Sequence, residues 1–130
     1  MNCGQHMSQV AILVVDDSPE NIDILASILR GAYQVKAAIS GERALKVVAA
    51  APPDLILLDI MMPDMDGFEV MERLKSDPQA ASIPVIFVTG KTDDADREKG
   101  LALGAAGFIT KPVAPDIVLA TVKEHLPDGS

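Results

Sequence analysis

Two periodicities alternate along this chain. Residues 10–15, 54–59 and 84–89 hold short, nearly unbroken apolar runs, VAILVV, LILL and VIFV among them, each bounded by polar or turn-forming residues. Runs of this length predict strands covered on both faces, as in the interior of a parallel sheet. Between them the pattern switches to a helical one. Ser18, Pro19 and Glu20 supply helix-start chemistry, and Ile22, Leu25, Ile28 and Leu29 recur at helical spacing up to Gly31, which is expected to close the helix.

The weak alternation of 33–39 predicts a shorter strand, followed by a helix that Ser40 caps and that runs through Ala44, Leu45 and Val48. Pro52 and Pro53 stop it. After the turn-rich loop MMPDMDG the pattern predicts a helix over 66–75 and another over 92–103, ended by Gly104. A short strand at 107–110 and a helix over 115–126 complete the series. Alternating strands and helices predict an α/β fold of the flavodoxin-like type: a doubly wound, five-stranded parallel sheet of order 2-1-3-4-5 with helices on both faces.

A chain of 130 residues is the length of one domain. Its expected extent is 9–127, with 1–8 read as an added leader and 128–130 as a tail. The leader has neither the charged start nor the apolar stretch of a signal peptide, and no apolar run approaches membrane-spanning length. A single cysteine, Cys3, excludes an intramolecular disulfide and fits a reducing, cytoplasmic setting. The formal charge of −8 opposes a phosphate backbone or an anionic membrane surface. The 3% aromatic content also removes the stacking platforms of single-strand binders, so neither nucleic acid nor membrane is an expected partner.

In doubly wound sheets ligands sit beyond the carboxyl ends of the strands, where the strand order reverses. Asp16 and Asp17 end the first strand, Asp59 the third and Thr89 the fourth, and Lys111 follows the fifth. Each has an ordinary structural explanation alone: Asp17 or Ser18 can cap the first helix, Asp59 can be a turn former, and Lys111 a solvated charge. Independent causes would not put all five on one sheet edge. Two like charges 4 Å apart cost roughly 4 kcal/mol at an effective dielectric near 20, and a hard cation such as Mg2+ relieves that repulsion. Beside such an ion one aspartate can attack a phosphoryl group and become an aspartyl phosphate, and the central Asp59 is best placed for it. Lys111 would neutralise phosphate charge, and Thr89 would donate a hydroxyl hydrogen bond.

VVDDSPEN, LLDIMMPDMDGFEV, PVIFVTG and GFITKP, in this order over about residues 10–126, resemble the receiver domains of bacterial two-component response regulators. The resemblance implies that Asp16 and Asp17 hold the metal, that Asp59 is the phosphoacceptor and that the backbone carbonyl of Met61 completes the protein ligands. It implies a switch pair, Thr89 and Phe108, and a cis bond between Lys111 and Pro112. The domain so implied is regulatory rather than an enzyme, acting only on its own phosphoryl group. Its phosphodonor would be a sensor histidine kinase or a histidine phosphotransfer protein, chosen through the first helix around Asn21 to Leu25. The face of strands four and five would carry the output and is open to phosphorylation-dependent dimerisation.

The ending PVAPDIVLATVKEHL is similar to receivers that precede c-di-GMP enzymes or sit in hybrid kinases, so a stand-alone receiver and a piece of a larger regulator both remain open. Other patterns fail. GKT at 90–92 lacks the earlier P-loop glycine, and the acidic loop around Asp64 and Asp66 has Met62 and Arg73 at the end positions of a calcium loop. A phosphohydrolase of the aspartate-nucleophile class needs an acid where Met61 stands, and Asp16 and Asp17 would repel the phosphate of a flavin nucleotide.

Overall fold

The computed structural model describes residues 10–90 and 94–126, and within them the strands form one parallel sheet in the order β2-β1-β3-β4-β5. In chain order the elements are β1 (Ala11–Val15), α1 (Pro19–Leu29), β2 (Gln34–Ala38), α2 (Gly41–Ala50) and β3 (Leu55–Leu58). Then come α3 (Gly67–Ser76), β4 (Val85–Thr89), α4 (Asp94–Ala102), β5 (Gly107–Thr110) and α5 (Pro115–His125). The expected order and the switch between β1 and β3 are those observed. The leader and tail, and the expected start of α4 at Thr92, lie outside the described residues.

Every residue of β1, β3 and β4 is buried, which is why these strands read as continuous apolar runs. Alternate side chains feed two cores. Leu13, Val15, Ile56, Leu58, Val85 and Phe87 pack with α2 and α3, whereas Ile12, Val14, Leu55, Leu57, Ile86 and Val88 pack with α1 and α5. The edge strand β2 is mostly exposed or half-buried, matching its weaker alternation.

Helix ends settle two points that the pattern left open. Ser18 is the N-cap of α1, its hydroxyl accepting from the Asn21 N–H at 3.4 Å, so Asp17 is not consumed by capping. Gly31 is not a left-handed terminator: α1 ends at Leu29, whose carbonyl accepts from both Ala32 and Tyr33, and Gly104, at φ 102°, is the positive-φ glycine among the described residues.

Candidate functional site

Sheet register assembles the site. Val15 pairs with Leu58, so the next residues, Asp16 and Asp59, leave adjacent strands side by side, and the Asp59 N–H donates to the Val15 carbonyl at 2.9 Å. Thr89 pairs with Thr110, and the following Lys111 donates its N–H back to the Thr89 carbonyl at 2.9 Å. All five polar residues singled out by position therefore lie at the carboxyl edge of the sheet. Asp16 and Asp59 are buried at 1% and 4% exposure, Thr89 is fully buried, and Asp17 is exposed.

One carboxylate oxygen from each of Asp16, Asp17 and Asp59 lies within 4.8 Å of the others. Lys111 bridges two of them: its Nζ donates to Asp16 Oδ2 at 3.0 Å and stands 3.6 Å from Asp59 Oδ1. Backbone groups hold the carboxylates too, with the Ser18 N–H donating to Asp16 Oδ1 at 2.9 Å and the Met61 N–H to Asp59 Oδ1 at 3.3 Å. Burial, and secondarily the charge of Asp16, push the Asp59 carboxyl up to about 6 against the opposing pull of Lys111 and the Met61 N–H. A single lysine thus leaves an excess of negative charge here, and an all-oxygen donor set suits a hard divalent cation.

The methionines of the following loop divide. Met62 is buried and Met65 packs on the core, whereas Met61 is 60% exposed while its backbone N–H serves Asp59. The bond between Lys111 and Pro112 is cis. Phe108, half-buried beside Phe87 with ring centroids 5.6 Å apart, lies three residues before Lys111 on β5.

Gly67 was not legible as a site residue. Asp66 caps α3, accepting from the Glu69 N–H at 3.0 Å, and Gly67 then passes so close to the strand exit that a Cβ there would lie 2.4 Å from the Asp59 carbonyl oxygen. Its own N–H donates to the Ile60 carbonyl at 2.9 Å. This contact pins the backbone on which Asp59 stands. A glycine at the first position of a helix, where propensity disfavours it, was the available sequence signal.

The match to the response regulator receiver domain extends over residues 12–123. The chain belongs to that family, the regulatory receiver domains of two-component signalling. It is 45% identical over 122 residues, 94% of this chain and 28% of the relative, to a probable cyclic di-GMP phosphodiesterase of Vibrio cholerae. It is 44% identical over 113 residues, 86% of this chain and 25% of the relative, to response regulator PleD of Caulobacter vibrioides. The chemotaxis protein CheY4 of Vibrio cholerae superposes with a TM-score of 0.87 at 32% identity, covering 91% of this chain and 99% of that one. The chain spans between a quarter and a third of the length of these two curated relatives. No helix among the described residues is long and apolar enough to cross a membrane.

Proposed function

We propose that this domain is a phosphorylation switch whose acceptor is Asp59. A carboxylate oxygen of Asp59 attacks the phosphorus of a phosphohistidine on a kinase or phosphotransfer protein. The O–P bond forms as the P–N bond breaks, and the electron pair leaves with the imidazole, which takes up a proton. The observation that carries this reading is a buried, centrally placed carboxylate with an ammonium 3.6 Å away and two further carboxylates around it.

The donor set fits Mg2+. Asp16, Asp17, Asp59 and the Met61 carbonyl would hold the ion, which when bound supplies positive charge for the phosphoryl oxygens. Lys111 has a side chain 24% exposed, free enough to leave Asp16 and meet a phosphoryl oxygen. The Ser18 N–H keeps Asp16 oriented, and the Met61 N–H fixes the Asp59 rotamer for attack. Thr89, at the buried end of β4, would turn its hydroxyl to the phosphoryl group, and Phe108 would move with it, altering the β4–β5 face that signals to an output domain or partner.

Donor docking is assigned to a mainly apolar cavity of about 140 Å³ beside Lys111, lined by Asn21, Ile24 and Leu25 of α1 together with Pro112 and Val113. Similarity to a probable cyclic di-GMP phosphodiesterase supports an output of c-di-GMP chemistry in a longer parent protein, with a hybrid kinase as the other arrangement. The functional unit is 9–127, in the cytoplasm, acting on its own phosphoryl group rather than on an external substrate.

Incubation with acetyl phosphate and Mg2+, read by intact mass, is the test. One phosphoryl group is expected, lost with chelator or with Asp59→Asn. An unlabelled wild type, or a fully labelled Asn variant, overturns the assignment, and turnover of an external phosphoester would favour a hydrolase instead.

A further inference from the structure

The strand ladder positions Asp16 and Asp59, but Met61 lies beyond it, on the loop that joins β3 to α3. Contacts near the feet of that loop hold it in place. The Gly67 N–H closes it on the Ile60 carbonyl at 2.9 Å, the Met61 N–H ties it to Asp59 Oδ1, and Met62 is buried in the core. A further contact lies farther out. The Met65 N–H donates to the Pro63 carbonyl at 2.7 Å, making a three-residue turn around Asp64, which holds φ 69° without being a glycine. Turns of this kind are strained and persist only where surrounding contacts hold them. Met65 supplies the hold by packing against the first residue of α2. A Cβ at Gly41 would lie 3.0 Å from Met65 Sδ, 3.1 Å from its Cγ and 2.6 Å from Val70 Cγ2 of α3. The start of α2 is itself fixed: Ser40 caps it by accepting from the Arg43 N–H at 3.1 Å, and the nearby Ala38 carbonyl accepts from the Asp16 N–H at 3.1 Å.

We propose that Met65 and Gly41 form a plug and socket that positions the Met61 carbonyl for Mg2+, Met65 being a positioning residue that acts through the loop. The proposal rests on the reading of Asp16, Asp17, Asp59 and the Met61 carbonyl as the holders of that ion. The contact closes a ring through the two arms of the acidic site. One arm runs from Asp16 through the Ala38 carbonyl to Gly41, and the other from Asp59 through Met61 and Pro63 to Met65. The ladder holds Asp16 and Asp59 whether or not the ring is closed. Opening it therefore frees the Met61 carbonyl, together with the N–H that steadies the Asp59 side chain. Gly41 contributes space rather than atoms, and an unbranched thioether is suited to a narrow socket. Loss of an outer support weakens a metal site roughly ten- to a hundredfold, and a support for one neutral ligand belongs at the lower end of that range.

The experiment titrates the whole chain with Mg2+, following the backbone amides of 59–61 by NMR, with a thermal midpoint in EDTA recorded for every variant. Met65→Ala is expected to bind Mg2+ about tenfold more weakly than wild type. Met65→Leu, which keeps the volume of the plug, should stay near wild type. Gly41→Ala should weaken binding as well, although α2 offers the ion no ligand. Leu74→Ala controls for stability alone. It empties the same core at the other end of α3, so its midpoint should fall while its Mg2+ affinity holds. If either Met65→Ala or Gly41→Ala binds Mg2+ as wild type does, or if Leu74→Ala loses as much affinity as Met65→Ala, the contact is packing only; the brace is then wrong and the metal-site reading stands. A wild type that binds no Mg2+, or whose affinity is unchanged by Asp59→Asn, removes the metal-site reading, and the brace with it.

Discussion

Lys111 Nζ sits closer to Asp16, at 3.0 Å, than to Asp59, at 3.6 Å, although Asp59 is the residue whose chemistry it is proposed to serve. The lysine acts here as the counter-ion of a crowded acidic crevice. Removing it should leave buried carboxylates facing one another. Lys111→Met is expected to lose about 1–2 kcal/mol of stability at pH 8 in EDTA, less than for a fully buried pair because the ammonium is partly solvated. Urea unfolding with saturating Mg2+ should recover much of that loss. An equal loss in EDTA and Mg2+ would assign Lys111 a packing role.

The raised Asp59 pKa makes this carboxylate a destabilising group at neutral pH. Its folded-state value of about 6 exceeds the ordinary 3.8, so the penalty is absent below about pH 4, grows between 4 and 6, and is complete above 6. Asp59→Asn, which keeps an acceptor for the Met61 N–H, should therefore stabilise the metal-free domain by about 2 kcal/mol at pH 8, or several degrees in the thermal midpoint. The gain should shrink towards zero as pH falls to 4. A gain independent of pH would locate its origin elsewhere.

At the proposed metal site protons and Mg2+ would compete for the same oxygens. Below about pH 6 the Asp59 carboxyl is increasingly protonated, so the apparent affinity for Mg2+ should fall by up to about tenfold per pH unit. Calorimetric titrations at pH 5 and pH 7.5 check this, and equal affinity at the two would exclude Asp59 from the donor set.

Gly67 has backbone, not a movable side chain, in the space a methyl group would take: the Asp59 carbonyl oxygen at 2.4 Å and Ile60 Cα at 2.8 Å. Gly67→Ala should therefore cost about 2–3 kcal/mol in denaturant unfolding despite the better helix propensity of alanine. The acetyl phosphate labelling rate should fall with it, because the shifted backbone carries Asp59. Unchanged stability would show that α3 can retreat freely.

The periodic pattern alone determined the succession of strands and helices, the central place of β1, β3 and β4, and the edge on which Asp16, Asp17, Asp59, Thr89 and Lys111 gather. Burial on both faces demands apolar runs, and parallel crossovers return each strand to the same edge. Only the tertiary structure decided that Ser18 rather than Asp17 caps α1, that Lys111 leans towards Asp16, and that Gly67 and Gly100 are the points of close approach to the Asp59 backbone and the Phe108 ring. Apart from the local cap, those features depend on separations between segments up to 95 residues apart in the chain, set by strand register and helix seating. Local periodicity specifies which face a residue occupies. It does not specify the distances across the space between two elements, and at this site those distances decide the chemistry.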